Sequence, residues 1–179
     1  MWIFAYGSLT FRPGFAWEER RRAFVRGWAR RLWQGSPDHR GVPEAPGRVV
    51  TLVEEPASVC GGCAYRIAPD ASDHILEQLD HRERAGFLRR LLPVYAEAEE
   101  THVGAAFAEA ITYVADTSNP WFLGPLPERE IAAWVGARRG PSGPNADYVL
   151  HLHATLTELR IHDAHVEAVA SILNGEKAR

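Results

Sequence analysis

The chain has 179 residues, 46% of them hydrophobic and 24% charged, and its 20 basic and 23 acidic side chains leave a net charge of -3. This composition excludes a disordered chain, and the length suits one domain, residues 1–179, whose core needs no disulfide or metal staple. So mild a charge gives no electrostatic case for a nucleic-acid partner.

The first apolar run, Trp2-Ile3-Phe4-Ala5-Tyr6, is rich in aromatic and β-branched side chains and stops at Gly7-Ser8. That predicts a buried strand opening into a tight loop. Gly7 lets a ligand come close to the main chain, and successive amides in such a loop make a small concavity that attracts a carboxylate or an oxyanion. Arg12-Pro13-Gly14 reads as a turn and Phe15 to Arg22 as a short helix. The basic cluster of Arg20, Arg21, Arg22 and Arg26 reads as a solvated helical face, with a phosphate patch as the alternative. Gly27 to Gln34 alternates as a strand. Gly35 to Pro43 holds too many breakers to be regular, and within it Asp38-His39-Arg40 offers an acceptor, a titratable ring and a cationic fork.

Arg48 to Val53 is a β-branched strand that Glu55-Pro56 is expected to end, and a strand over Cys60 to Ile67 follows at once, so the two look like antiparallel neighbours. One Cys-x-x-Cys pair supplies only two of the four ligands of a structural zinc, and in a strand a separation of three puts the pair on opposite faces. Cys60 and Cys63 therefore read as small buried residues, not as a redox or metal site. A helix is expected from Asp70 or Ser72 to about Arg84, then strands over Phe87 to Tyr95 and Phe107 to Val114 with a polar connection between them. Ser118 to Pro127 is broken by three prolines and a glycine. Helices follow over Glu128 to Arg139, around Tyr148 to Leu159 and around Val166 to Ile172, with Gly140 to Pro144 as a rigid loop between the first two. The class is α+β with a mainly antiparallel, small barrel-like sheet and packed helices. The sequence opens with no secretory pattern and contains no membrane-length apolar run, so a soluble, cytoplasmic protein without membrane or nucleic-acid partners is expected. Its oligomeric state stays open.

Glu83 is the anomaly in this pattern. On a helix it lies within about 20° of Leu76 and about 40° of Leu79, so it continues an apolar stripe, while Asp80 is the ordinary solvent-facing acid. A carboxylate there is either paired, with Arg82 or Arg89 at hand, or lines a cavity. Partial burial would raise its pKa towards the range of a general base near neutrality.

Six ordered blocks then accumulate: Tyr6-Gly7-Ser8-Leu9; Arg31 to Ser36; Asp38 to Pro43 with Pro46 to Leu52; Asp80-His81-Arg82-Glu83; Asn119-Pro120 with Leu123-Gly124-Pro125; and Gly140 to Gly143 with Asn145 and Tyr148. Together they resemble the ChaC branch of the gamma-glutamylcyclotransferases, the glutathione-specific enzymes, over nearly the whole chain. The resemblance implies cleavage of glutathione to 5-oxoproline and cysteinylglycine, without a metal or organic cofactor. It also implies that Glu83 is the catalytic acid/base, that Ala5, Tyr6, Gly7, Ser8 and Leu9 hold the γ-glutamyl group, and that Tyr148 lies near the substrate. Arg40 or His39 is the candidate for the glycine carboxylate end. Two departures stand out: Ala5 where the family usually has glycine, and Ala85-Gly86-Phe87 where it has Gly-Gly-Tyr. Two alternatives are a cyclotransferase for other γ-glutamyl amines or amino acids, and a non-catalytic binding or regulatory protein on the same scaffold.

Overall fold

The structure is a computed structural model that describes residues 1–98 and 105–175. A short strand β1 (Trp2–Ala5) leads into a 3-10 turn over Ser8–Thr10. Two long strands, β2 (Glu19–Ser36) and β3 (Gly47–Arg66), then form an antiparallel ladder. Helix α1 (Ser72–Arg82) is followed by the hairpin of β4 (Phe87–Val94) and β5 (Ala108–Ala115). The rest is α2 (Glu128–Gly136), the small pair β6 (Arg139–Gly140) and β7 (Gly143–Pro144), α3 (Asn145–Glu158) and α4 (Ala164–Leu173).

The main sheet runs β2-β3-β1-β5-β4 and is antiparallel except where β1 meets β5. The α+β class stands. The sheet is not a closed barrel, but its two edges meet at one antiparallel bridge, where Phe24 and Tyr95 exchange backbone hydrogen bonds of 2.9 Å. Alternation along β1 divides the core: Phe4 and Tyr6 join the cluster covered by α2, α3 and α4, while Ile3 and Ala5 join the one covered by α1 through Ile75 and Leu79. The two cysteines obey the same rule. Cys60 lies in the first cluster and Cys63 in the second, both buried and unpaired.

Three expectations are corrected. The expected helix over Phe15 to Arg22 is absent, and Glu19 onward is strand. Ladder pairing with β3 overrides arginine's helix preference, and the guanidinium groups lie over rings, Arg21 at 4.3 Å from the centre of Phe107 and Arg26 at 4.0 Å from that of Tyr95. Second, residues 48–53 and 60–66 are not neighbours of each other. Both belong to β3 and pair with successive parts of β2. Trp28 faces Glu54 and Arg26 faces Val59, so residues 55–58 stand opposite Gly27 alone, which has φ +79°. Pro56, which has no amide to donate, sits in that interruption. Third, the rigid loop expected over Gly140 to Pro144 is part of a tiny hairpin, in which Arg139 pairs with Pro144 and Gly140 with Gly143. The expected polar connection between β4 and β5 falls partly outside the described residues.

A second irregularity in β2 docks the helical layer. Pairing skips from Arg31 to Gln34. The Leu32 amide, freed from the ladder, donates to Nε2 of His165 on α4 at 3.1 Å, and the Leu32 carbonyl accepts from the buried Arg48 guanidinium at 2.9 Å. Asn145, fully buried at the start of α3, accepts from the Arg48 amide at 2.6 Å and donates to its carbonyl at 2.8 Å. α4 is thus fixed to β2 and α3 to β3 through backbone groups of the strands.

Candidate active site

Glu83 is the residue that closes α1. Its amide still donates to Leu79 O at 2.8 Å, but its backbone has left the helical region, with φ -95° and ψ 36°. The helix therefore ends one residue before the carboxylate, short of the Arg84 expected from the sequence. The Glu83 side chain is 16% exposed, and its Oε1 lies 3.5 Å from Nε of Arg82. Burial raises its pKa, and the opposing pull of Arg82 does not cancel the rise. Asp80 behaves as expected of an exposed acid: it pairs with Arg89, accepts from the Tyr113 hydroxyl at 2.7 Å, and has its pKa lowered by the Arg89 hydrogen bond. The two carboxylates at the end of α1 therefore have opposite environments.

Arg82 also ties Glu83 to the first loop. It donates to the Ser8 hydroxyl at 3.0 Å and to the carbonyls of Arg12 and Pro13 at 3.0 and 3.2 Å. From behind, the fully buried Arg30 donates through Nε to Tyr6 O at 2.7 Å and through its other nitrogens to Gly61 O and, at 2.7 Å, to Asp163. The Tyr6 hydroxyl donates to Tyr113 O at 2.6 Å. Gly7 sits in a close space: a Cβ there would lie 3.0 Å from Val50 Cγ2 and 3.3 Å from the Tyr148 hydroxyl, so both side chains would have to give by a few tenths of an ångström. Within the loop, Thr10 and Arg12 donate backwards to Gly7 O and Ser8 O, whereas the amides of Gly7, Ser8 and Leu9 reach no backbone carbonyl outside the helices and strands among the described residues.

Tyr148 stands on α3. Its oxygen accepts the Val50 amide at 3.2 Å, which leaves its own proton to donate, and burial pushes its pKa up to about 12, so it is a neutral donor at physiological pH. Arg40 lies with its guanidinium 5.7 Å from the centre of the Tyr148 ring and donates to Pro144 O at 3.1 Å. His39 approaches the Ser142 hydroxyl at 3.2 Å, and Ser142 N donates to His39 O at 2.9 Å, so the 140s hairpin braces the 38–40 segment.

These pieces surround one cavity of about 380 Å³. Glu83, the Ala5 to Leu9 segment, Tyr148 and Arg40 all line it, as does His39. The two departures are here too: Ala5 and Phe87 both line the wall, the latter after Gly86, whose φ is +90° and whose Cβ would meet Asn119 at 2.5 Å. Asn119 in turn exchanges hydrogen bonds with Gln34, which donates to Ala85 O at 2.8 Å and so anchors the segment after Glu83. Sequence reasoning missed Arg12, read only as part of a turn, and Thr112, a buried wall residue whose hydroxyl has no hydrogen-bond partner among the described residues. Proximity to Gly7 in the chain was the available signal for Arg12. Nothing local marked Thr112. No group of three or more His, Cys, Asp or Glu side chains suited to a metal occurs among the described residues.

A family model described as ChaC-like protein matches residues 1–176. A mouse protein named glutathione-specific gamma-glutamylcyclotransferase 1 is 40% identical over 174 residues, which cover 94% of this chain and 76% of that protein. Gamma-glutamylcyclotransferase 2-3 of Arabidopsis thaliana is 38% identical over 176 residues, 96% of this chain and 87% of its own length. The crystal structure of a yeast gamma-glutamyl cyclotransferase specific to glutathione superposes with a TM-score of 0.88 at 27% identity, covering 99% of this chain and 96% of the other. With the family model matched almost end to end, the chain belongs to the ChaC-like family.

Proposed function

We propose that the protein is a glutathione-specific gamma-glutamylcyclotransferase that releases 5-oxoproline and cysteinylglycine, with Glu83 as its acid/base. The observation that carries the reading is a carboxylate kept partly buried, with a raised pKa, in the same cavity as the Tyr6 to Leu9 loop. The names of the relatives supply the substrate class.

The chemistry needs few polar groups because the substrate carries its own nucleophile. The α-amine of the γ-glutamyl residue attacks the γ-carbonyl carbon, a carbon–nitrogen bond closes a five-membered ring, and the amide bond to cysteine breaks. Holding the chain folded so that these atoms meet is the entropic part of catalysis. A free α-amino group has a pKa of roughly 8, so at neutral pH a base must take a proton from it. Glu83 accepts that proton and returns it to the departing cysteinyl nitrogen, and a second proton, lost by the attacking nitrogen as it becomes the lactam, follows by the same carboxylate, so that cysteinylglycine leaves as an ammonium and not as an anion. Atoms and charge balance without an added water. The amides of Gly7, Ser8 and Leu9 and the Tyr148 hydroxyl are donors for the α-carboxylate and for the oxygen that gains charge during attack.

Purified protein incubated with reduced glutathione in EDTA should release 5-oxoproline and cysteinylglycine in equal amounts. Release from γ-glutamyl-alanine but not from glutathione would move the assignment to the other cyclotransferases. Inactivity on both would remove the enzyme reading.

A further inference from the structure

Three arginines line the cavity, and only Arg82 has a carboxylate partner within 4.0 Å among the described residues. The cavity's other acid, Asp38, has His39 at 4.0 Å. Arg40 is nearly buried, and its hydrogen bond goes to a neutral carbonyl, Pro144 O. Arg12 is exposed, and its guanidinium has no hydrogen bond, ion pair or ring contact among the described residues. Its backbone is nevertheless fixed, since the Arg12 amide donates to Ser8 O at 2.8 Å and its carbonyl accepts from Arg82 at 3.0 Å. Burial lowers the basicity of Arg40 and of Arg82, and the Arg12 cation adds to the lowering in both, as like charges around one cavity must.

We propose that Arg12, together with Arg40, forms the subsite for the carboxylate that ends the leaving peptide. The inference rests on the cyclotransferase reading and deepens it. Glutathione carries two carboxylates. The first-loop amides serve the one beside the reacting amine, and the second terminates the glycine, several bonds from the bond that breaks. A guanidinium pair presents planar forks of donors that match a carboxylate, and the same pair discriminates against a γ-glutamyl amine with no acid at that end. No bond changes at this subsite, so its contribution is shared by ground and transition states and appears in KM.

The test compares glutathione with its C-terminal carboxamide, on the wild type and on Arg12→Gln, with 5-oxoproline as the readout. The wild type should use the amide with kcat/KM lower by about 10–100-fold, the ratio expected for loss of a charge-assisted pair. Arg12→Gln should lose about 10-fold or more on glutathione, mostly through KM, and change by no more than about two-fold on the amide. Equal losses on both substrates, or no loss on either, would overturn the subsite. If the variant fails to fold, the wild-type comparison decides, because equal use of acid and amide also overturns it. A wild type that turns over neither substrate instead refutes the cyclotransferase reading, which is a separate result.

Discussion

Glu83 is held between burial, which favours its neutral form, and Arg82, which favours its charged form, and burial wins. A carboxylate poised in this way is a better proton acceptor than an ordinary glutamate. Glu83→Gln, which keeps the shape and removes the proton transfer, should bind glutathione yet lose a factor of about 10² or more in turnover. In the wild type, kcat/KM should fall with acidification, with its midpoint above the ordinary 4.5 of a glutamate, since the free enzyme must carry the carboxylate. Near-normal turnover in a folded Glu83→Gln protein would end the mechanism. At this scale the sequence was informative: the 100° geometry of a helix was enough to single out Glu83 from Asp80. Arg12 was not legible, because the direction of a side chain in an aperiodic turn depends on contacts such as Arg82 to the Arg12 carbonyl, made 70 residues away.

Among the elements, the first loop depends most on a residue outside it. Arg30 lies in β2, its side chain fully buried, and binds the carbonyl of Tyr6, the carbonyl of Gly61 and the carboxylate of Asp163, which is 13% exposed. Asp163 also caps α4 by accepting the Val166 amide at 3.1 Å. The two roles are separable. Asp163→Asn retains an acceptor for the cap but leaves a buried guanidinium without its counter-charge, which should cost on the order of 3 kcal/mol in a denaturant titration and raise KM for glutathione through the loosened Tyr6 carbonyl. Asp163→Ala should cost about 1 kcal/mol more by losing the cap. An Asparagine variant as stable as the wild type would show that the charge pair is not needed. Most of the long strands were legible from β-branching and alternation, but the first part of β2 read as a helix. The strands' partners were not legible, because nothing in residues 48–66 says that both halves of β3 pair with one strand across an interruption of residues 55–58. Arg30 reads as one more alternating strand residue until Gly61 and Asp163 are brought to it.

The whole molecule assembles its cavity from segments as distant as residues 4–14, 35–40, 82–87 and 142–148, so the site exists only when the sheet and both helical layers are in place. That couples the site's electrostatics to global stability, and two groups act with opposite sign. His165 accepts the Leu32 amide through Nε2, so its other nitrogen carries the proton facing Glu128 at 3.1 Å, and burial lowers its pKa below 6.5. The unfolded chain therefore binds the proton first, and this contribution to stability, complete above 6.5, is lost as pH falls from there towards the lowered value. For Glu83 the folded pKa is raised, so the folded protein binds the proton first; its contribution is complete below 4.5 and is lost as pH rises through the raised value. Asp80, Asp116 and Glu128, with lowered values, contribute stability that is lost only as pH falls below their ordinary 3.8 to 4.5. The Glu83 term changes only above 4.5 and the His165 term only below 6.5, in opposite directions, and Glu83→Gln removes the first of them. The variant should therefore have a higher Tm than the wild type at pH 7, and it should lose more Tm than the wild type on acidification to pH 5, so that the two curves converge. Parallel curves in a thermal melt series would mean that ionised Glu83 is not disfavoured by the fold, and the case for a poised base would fail with them.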